Sequence, residues 1–401
     1  MTTDQRVQRI LVIDDEPDVG QFIHDATEGI ALACIVTTDK TAFFQQLTPE
    51  TTLIMLDLVM PDTDGIELLR ILAQLQSRVP IVLMSGIGKR VIESAEKLAT
   101  SLGLNIAGSL QKPFRLSEIE ELLRRQIAAN APSASKPKSK IVVSDEELVR
   151  AIELDQFVLH YQPQLNIATM EVVGMEALVR WNHPERGLVF PDDFIARLES
   201  MGLIDRLGWI VANHGLAEMK RATTANGEPI VLSLNVSAFS LYDLSFTDNF
   251  VARLKHHGVA PQNVILEITE SGLIKDLSST LDVLTRLCMK QIKLSIDDFG
   301  TGYAMMQQLR LVPATELKID KSFVQNMHVN DSDRVMVQKT IEIGHELGMK
   351  VVAEGVETAE QLEFLRANGC DIAQGYYFSR PIPMDQFLAW FSKHEPENRP
   401  G

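Results

Sequence analysis

Residues 292–306 read IKLSIDDFGTGYAMM. A run of β-formers ends there in two adjacent aspartates, Asp297 and Asp298, and the chain then turns on glycines. Neighbouring carboxylates repel each other and resist desolvation, so such a pair needs either water on both groups or a cation between them. The apolar runs on either side of this stretch decide which.

From residue 157 onward eight runs read as strands: FVLHYQP (157–163), VVGMEALVRW (172–181), PIVLSLNVS (229–237), NVILEITE (263–270), IKLSIDD (292–298), ELKID (316–320), KVVAEGV (350–356) and IAQGYYF (372–378). Most are separated by helix-length patterns, among them DDFIARLESMGLIDRLGWIVANHGLAEMK and DRVMVQKTIEIGHELGM. Eight strands in about 250 residues is the arithmetic of a β/α barrel. The second run follows the first too closely for a crossover helix. The first pair is therefore expected to be antiparallel, and the barrel irregular at that point.

Glu176, Asn235, Glu267, Asp297, Asp298, Lys318, Asp320 and Glu354 all lie within or at the ends of these runs. A buried strand does not take a carboxylate for packing, because desolvation costs too much. On separate strands of one barrel these groups converge on the rim where such folds carry their active sites. Lys318 and Arg180 are too few to pair so many acids, so a rim of salt bridges alone does not balance. Asp297 and Asp298 are tolerable together because cations hold them.

Oxygen donors without histidine or thiolate clusters favour Mg2+ or Mn2+ over zinc. Asp297 suits bridging two ions, and an ion pair suits hydrolysis of a phosphate ester. Lys318 would either orient the attacking water or neutralise phosphoryl charge. Glu354 would either ligate the second ion or accept a proton. His160, His183 and Trp181 read as structural.

Upstream, AANAPSASKPKSK (128–140) has no large apolar side chain and reads as a linker. The expected organisation is a first domain over 8–127, a linker over 128–142 and a second domain over 143–397. In the first domain RILVID (9–14), TLIMLDL (52–58), PIVLMSG (80–86) and a weaker IAGSL (106–110) alternate with helical patterns, which predicts a doubly wound parallel sheet. Asp14, Asp15 and Glu16, then Asp57, Ser85 and Lys112 fall at the carboxyl edge of that sheet, where a divalent cation and a phosphoryl group would sit.

The formal net charge of −16 argues against a nucleic-acid-binding surface, and the three cysteines are in no metal-ligand spacing. There is neither a signal-peptide pattern nor an apolar stretch long enough to span a membrane, so the sequence points to the cytoplasm.

The first domain resembles the response-regulator receiver family through Asp14–Asp15, LDLVMPDTDG (56–65), Ser85 and Lys112–Pro113. The resemblance implies a five-stranded receiver fold with Asp57 as phosphoacceptor. It also implies one Mg2+ on Asp14, Asp15 and Asp57, phosphoryl contacts from Ser85 and Lys112, and a cognate sensor histidine kinase. The chain departs from the family at Ser109, where an aromatic switch residue is usual, in a stretch, GLNIAGSLQK (103–112), that reads slightly long.

The second domain is similar to the EAL-domain cyclic-di-GMP phosphodiesterases. The match rests on EALVRW (176–181) followed by NHP, SLNVS, LEITES, IDDFGTGY, LKIDKSFV, VVAEGVE and QGYYFSRP, in family order. The resemblance implies a TIM-like barrel whose two Mg2+ or Mn2+ ions are held by Glu176, Asn235, Glu267 and Asp297, and by Asp297, Asp298 and Glu354. It implies that Lys318 contacts the attacking water with Asp320 in support. Arg180 and Gln374 would bind substrate, and Glu270 would brace the loop after Asp298. The expected product is linear pGpG, and a homodimer or higher oligomer is the expected assembly. Ala304 and Met305 replace the usual hydroxyls of that loop. The rival reading is a catalytically silent scaffold that only binds cyclic-di-GMP.

Overall fold

The structure is a computed structural model that describes residues 9–28, 33–61, 64–130, 143–223, 227, 229–270, 277–300 and 309–394. The stretch 301–308, with Ala304 and Met305, lies outside the described residues. The chain divides into two compact units, at Pro137/Lys138.

In the first unit β1 (Arg9–Ile13), α1 (Pro17–Glu28), β2 (Ala33–Thr37), α2 (Lys40–Gln46), β3 (Thr51–Asp57), α3 (Gly65–Gln74), β4 (Ile81–Ser85), α4 (Lys89–Ser101), β5 (Ile106–Gln111) and α5 (Leu116–Asn130) alternate strictly. All strand pairings are parallel, in the order β2-β1-β3-β4-β5. Alternate side chains feed the two faces: Leu11, Ile54, Leu56 and Leu83 pack on one, Ile10, Val12, Met55 and Val82 on the other. The four runs expected as strands in this unit do not include β2, whose ACIVT is only half-buried at the sheet edge. The length of GLNIAGSLQK has a structural counterpart as well. Ile106 pairs Ile81 but Gly108 pairs Val82, so one extra residue is absorbed in a bulge on the opposite edge strand. Ser109 is exposed there.

The second unit opens with α6 (Asp145–Glu153), capped by Ser144 and Glu147 in a reciprocal box. Asp145 binds Arg197 through two hydrogen bonds of 2.6 and 2.7 Å. There follow β6 (Phe157–Asn166), β7 (Val172–His183), β8 (Gly187–Val189), α7 (Ile195–Ser200), α8 (Ile204–Glu218), β9 (Val231–Asn235), α9 (Phe246–His257), β10 (Val264–Thr269), α10 (Leu277–Met289) and β11 (Lys293–Phe299). The unit ends with β12 (Glu316–Ile319), α11 (Lys321–Asn326), α12 (Asp331–Glu346), β13 (Lys350–Ala353), α13 (Ala359–Ala367), β14 (Ile372–Ala373), β15 (Ile382–Pro383) and α14 (Met384–His394). The long 192–220 pattern is two helices rather than one, broken at Gly202, whose φ is +67°.

Strands β6, β7, β9, β10, β11, β12, β13 and β14 close into a ring, with β6 antiparallel to both neighbours. The expected irregularity is thus at β6, and β8 and β15 are short additions outside the ring. Leu232 and Leu234 face α8, since a Cβ on Gly215 would lie 3.2 and 3.1 Å from their Cδ2 atoms. Alternation then turns Ser233 and Asn235 into the barrel. Strands β13 and β14 end earlier than their apolar runs. Gly355 has φ +69°, and a Cβ on Gly375 would lie 2.0 Å from the Val356 carbonyl oxygen, so the two segments leave the sheet in close backbone contact.

Candidate active site

The opening question has a backbone answer. In a regular strand Asp297 and Asp298 would point to opposite faces. Asp298 instead has φ +56°, and the β11–β12 register shifts between Ile296 and Phe299. The bulge brings both carboxylates to one side. Atoms of Asp297, Asp298 and Glu354 lie within 4.8 Å of one another. The Asp298 N–H donates to Asp297 Oδ1 at 2.9 Å, and the next amide but one, Gly300 N–H, donates to Glu270 Oε2 at 2.9 Å.

Lys318 stands at the centre, with no exposed surface. Its Nζ lies 2.6 Å from Glu354 Oε1, 2.8 Å from Glu267 Oε2, 3.3 Å from Asp297 Oδ1 and 3.7 Å from Glu176 Oε2. Asn235 donates to Glu176 Oε1 at 2.9 Å, and Gln374 donates to Glu176 Oε2 at 2.5 Å. Asp320 caps α11, its Oδ1 accepting from the Ser322 N–H at 2.9 Å and from the Ser322 hydroxyl. Arg180 is buried, with its guanidinium 5.2 Å from the Phe190 ring centre and Nε lacking a partner.

Two further residues join this group. Gln164 donates to Gln374 Oε1 at 3.0 Å, and Gln162 Oε1 accepts from Gln374 at 2.9 Å. The signal was present in YQPQL, where two glutamines alternate with apolar residues inside a buried strand. His160 contacts the Pro381 carbonyl oxygen, His183 accepts the Glu185 and Arg186 N–H groups, and Trp181 donates to Gln156, all as structural residues do.

The charges are distributed unevenly. Burial works against the Lys318 ammonium, yet the carboxylates of Asp297, Glu176, Glu267 and Glu354 outweigh it and hold its pKa well above the usual lysine range. Burial likewise opposes the Glu176 carboxylate, but Lys318, Gln374 and Asn235 bring its pKa below the ordinary value. Burial, then the Glu176 charge, raises Glu267 well above its usual range. Glu354 is raised to about 8 and Asp298 to about 6, each mainly by burial and then by neighbouring acids. Such an excess of acids asks for cations. The donor set fits hard divalent ions, being all oxygen, with Glu267 Oε1 buried and unpartnered.

In the first unit Lys112 Nζ lies 2.7 Å from Asp57 Oδ2, 2.8 Å from Asp14 Oδ2 and 3.0 Å from Glu16 Oε1. Burial lifts the Asp14 carboxyl, while the three acids outweigh burial and raise Lys112. Ser85 is fully buried, and its Oγ accepts the Ile87 N–H at 3.1 Å. Atoms of Asp14, Glu16 and Asp57 come within 4.8 Å of one another, a grouping that fits one divalent ion. Asp15 is half-buried and outside that grouping.

The response regulator receiver domain model matches residues 10–124 and the EAL domain model residues 145–381. The cyclic di-GMP phosphodiesterase RocR of Pseudomonas aeruginosa is 35% identical over 84% of this chain and 86% of its own length. The cyclic di-GMP phosphodiesterase NbdA of the same species is 42% identical over 61% of this chain, which spans 32% of that relative. Among solved structures, the PaMucR phosphodiesterase in its c-di-GMP complex superposes with a TM-score of 0.58 at 37% identity, over 61% of this chain and 98% of that one. No helix among the described residues is long and apolar enough to cross a membrane. The chain belongs to the EAL domain family and carries a response regulator receiver domain ahead of its EAL domain.

Proposed function

We propose that the barrel hydrolyses one phosphodiester bond of cyclic-di-GMP to give linear pGpG, and that phosphorylation of Asp57 regulates it. The observation that carries this reading is the bulge at Asp298, which gathers the acid pair beside Glu354 around a buried lysine. Similarity to RocR over most of both chains supports the substrate.

Glu176, Asn235, Glu267 and Asp297 would hold one Mg2+ or Mn2+, and Asp297, Asp298 and Glu354 the other. Bound ions of this kind lower the pKa of water and neutralise phosphate charge. Lys318 orients the attacking water, and Asp320 fixes the strand end that carries it. The Arg180 guanidinium binds a phosphate oxygen of the substrate. Gln374, braced by Gln162 and Gln164, keeps Glu176 in place beside the substrate. Glu270 restrains the turn after the acid pair through the Gly300 N–H. In the receiver, Asp14 and Asp57 with Glu16 or Asp15 would hold Mg2+, while Ser85 and Lys112 bind the phosphoryl group delivered by a sensor histidine kinase.

The test is turnover of cyclic-di-GMP by the purified full chain with Mg2+, products resolved by chromatography, with and without a small phosphodonor. Linear pGpG is the expected product. A donor-dependent rate change that disappears in Asp57→Ala is the expected sign of regulation. Binding of cyclic-di-GMP without product in either Mg2+ or Mn2+ would overturn hydrolysis and leave the barrel a binding scaffold.

A further inference from the structure

Beneath the rim, the inner face of the barrel carries a second polar level. Glu316 opens β12, two residues before Lys318. Leu317 and Ile319 alternate with them and pack into the outer cores, so Glu316 and Lys318 both face inward. Glu316 is 4% exposed and its Oε1 has no hydrogen-bond partner. Its register partner on β11 is the fully buried Ser295, whose hydroxyl steadies the Glu316 carboxylate but carries no charge to balance it. Its register partner on β13 is Lys350, at the exposed end of that strand. A barrel interior packs well with branched apolar residues, and a buried carboxyl there costs free energy unless a charge compensates it.

Lys318 presents the complementary problem. The four carboxylates within 4 Å of its Nζ, on Glu176, Glu267, Asp297 and Glu354, are all donors assigned above to divalent ions. The inference below rests on that assignment. In the loaded site those oxygens serve the ions, and the ammonium needs another negative partner. Asp320, the acid just past the strand and outside the donor set, is turned to the next helix as its cap, with Oδ1 accepting from the Ser322 N–H and hydroxyl. Glu316 lies on the side of Lys318 away from the rim acids, and its second oxygen is uncommitted.

We propose that Glu316 is the counter-ion of Lys318 in the ion-loaded site, a positioning residue that holds the ammonium in place from below when the rim carboxylates are engaged. Burial raises the Glu316 carboxyl, and the Lys318 charge is the first influence opposing that rise, followed by the Ser295 hydrogen bond and then by Lys350 and Lys293.

The test is a double-mutant cycle on the full chain, using Glu316→Gln, Lys318→Met and the double variant, with Glu316→Asp as the conservative control. Mn2+ affinity is read by calorimetry, independently of turnover, and kcat and KM are measured on cyclic-di-GMP. Glu316→Gln is expected to weaken Mn2+ binding about tenfold, with a comparable fall in kcat and KM within about twofold. Glu316→Asp should recover most of the loss. In the Lys318→Met background, Glu316→Gln should leave Mn2+ affinity unchanged, because neighbours in one network are not additive. Where Glu316→Gln fails to fold, Glu316→Leu takes its place in the cycle.

Unaltered Mn2+ affinity in Glu316→Gln overturns the proposal. So does an equal loss with and without Lys318, which would assign Glu316 to Lys350 or to the fold. A wild type that binds Mn2+ but leaves cyclic-di-GMP intact defeats the functional reading and leaves the Mn2+ cycle to decide the counter-ion.

Discussion

Each unit places a lysine among carboxylates at the carboxyl edge of parallel strands, but the two clusters differ in enclosure. Lys318 has no exposed surface, and the most open of its four partners, Glu354, has a side chain 17% exposed. The Lys112 side chain is 11% exposed and its partner Glu16 is 62% exposed. The enclosed cluster keeps its charges in a medium that amplifies every interaction, as a preorganised site requires. The receiver cluster opens to water only at Glu16, for the Asp57 and Asp14 side chains beside the same lysine are 2% and 0% exposed. The two clusters thus differ in their outermost acid and in number: two buried carboxylates share Lys112, whereas four share Lys318.

The largest expected effect tests this contrast directly. Lys318→Ala leaves several buried carboxylates without their cation and should destabilise the metal-free barrel by about 3 kcal/mol. Lys112→Ala leaves two buried carboxylates rather than four without their cation and should cost the receiver less, about 2 kcal/mol. Calorimetry that resolves the two transitions measures both, and equal losses would erase the distinction. Trp fluorescence reports the barrel alone, because Trp181, Trp209 and Trp390 all lie there.

A second expectation sharpens the contrast through pH. In the folded, ion-free barrel the Glu354 carboxyl titrates at about 8 and that of Asp298 at about 6. In the unfolded chain both return to about 4. The folded state therefore binds more protons between those values. Its stability from these groups is full below about pH 4, declines as pH rises, and is lost above about pH 8. Chelated protein should melt at progressively lower temperature from about pH 5 to pH 8, and Mn2+ should flatten that slope. A flat profile without ions would refute the charge excess.

The smallest expected effect concerns the bulge. Asp298→Gly relieves a left-handed residue and removes a half-buried acid, so it should stabilise the ion-free barrel by about 1 kcal/mol while abolishing hydrolysis. Chemical denaturation alongside turnover checks both halves of that statement.

Strand-end acids made the barrel and its rim legible in the sequence, because carboxylates inside apolar runs have few structural explanations. The antiparallel β6 was readable from the short gap between residues 163 and 172. What escaped was whatever depended on backbone conformation or on edge exposure. Nothing in IDDF announces a positive φ at Asp298, since aspartate adopts it only in a few contexts. β2 was missed because a half-buried edge strand has a weak apolar signal. Gln162 falls inside the expected run 157–163 and Gln164 just past it, and their joint grip on Gln374 required the ring to close.

That closure has a kinetic consequence. The β6–β14 seam is joined by only two register pairs, Ile372 with Asn166 and Ala373 with Leu165, whereas β10 and β11 share five. Amide hydrogens along the seam are therefore set to exchange with solvent ahead of those in the β9–β12 wall. Gln374 follows β14 directly, so an opening of the seam loosens the clamp on Glu176 while Glu267, Asp297 and Lys318 stay on the slow-exchanging side. β14 is the thin stave of the ring, tied by two register pairs to β6 and by two to β13, and it leads straight into the glutamine that clamps the acid heading the family motif.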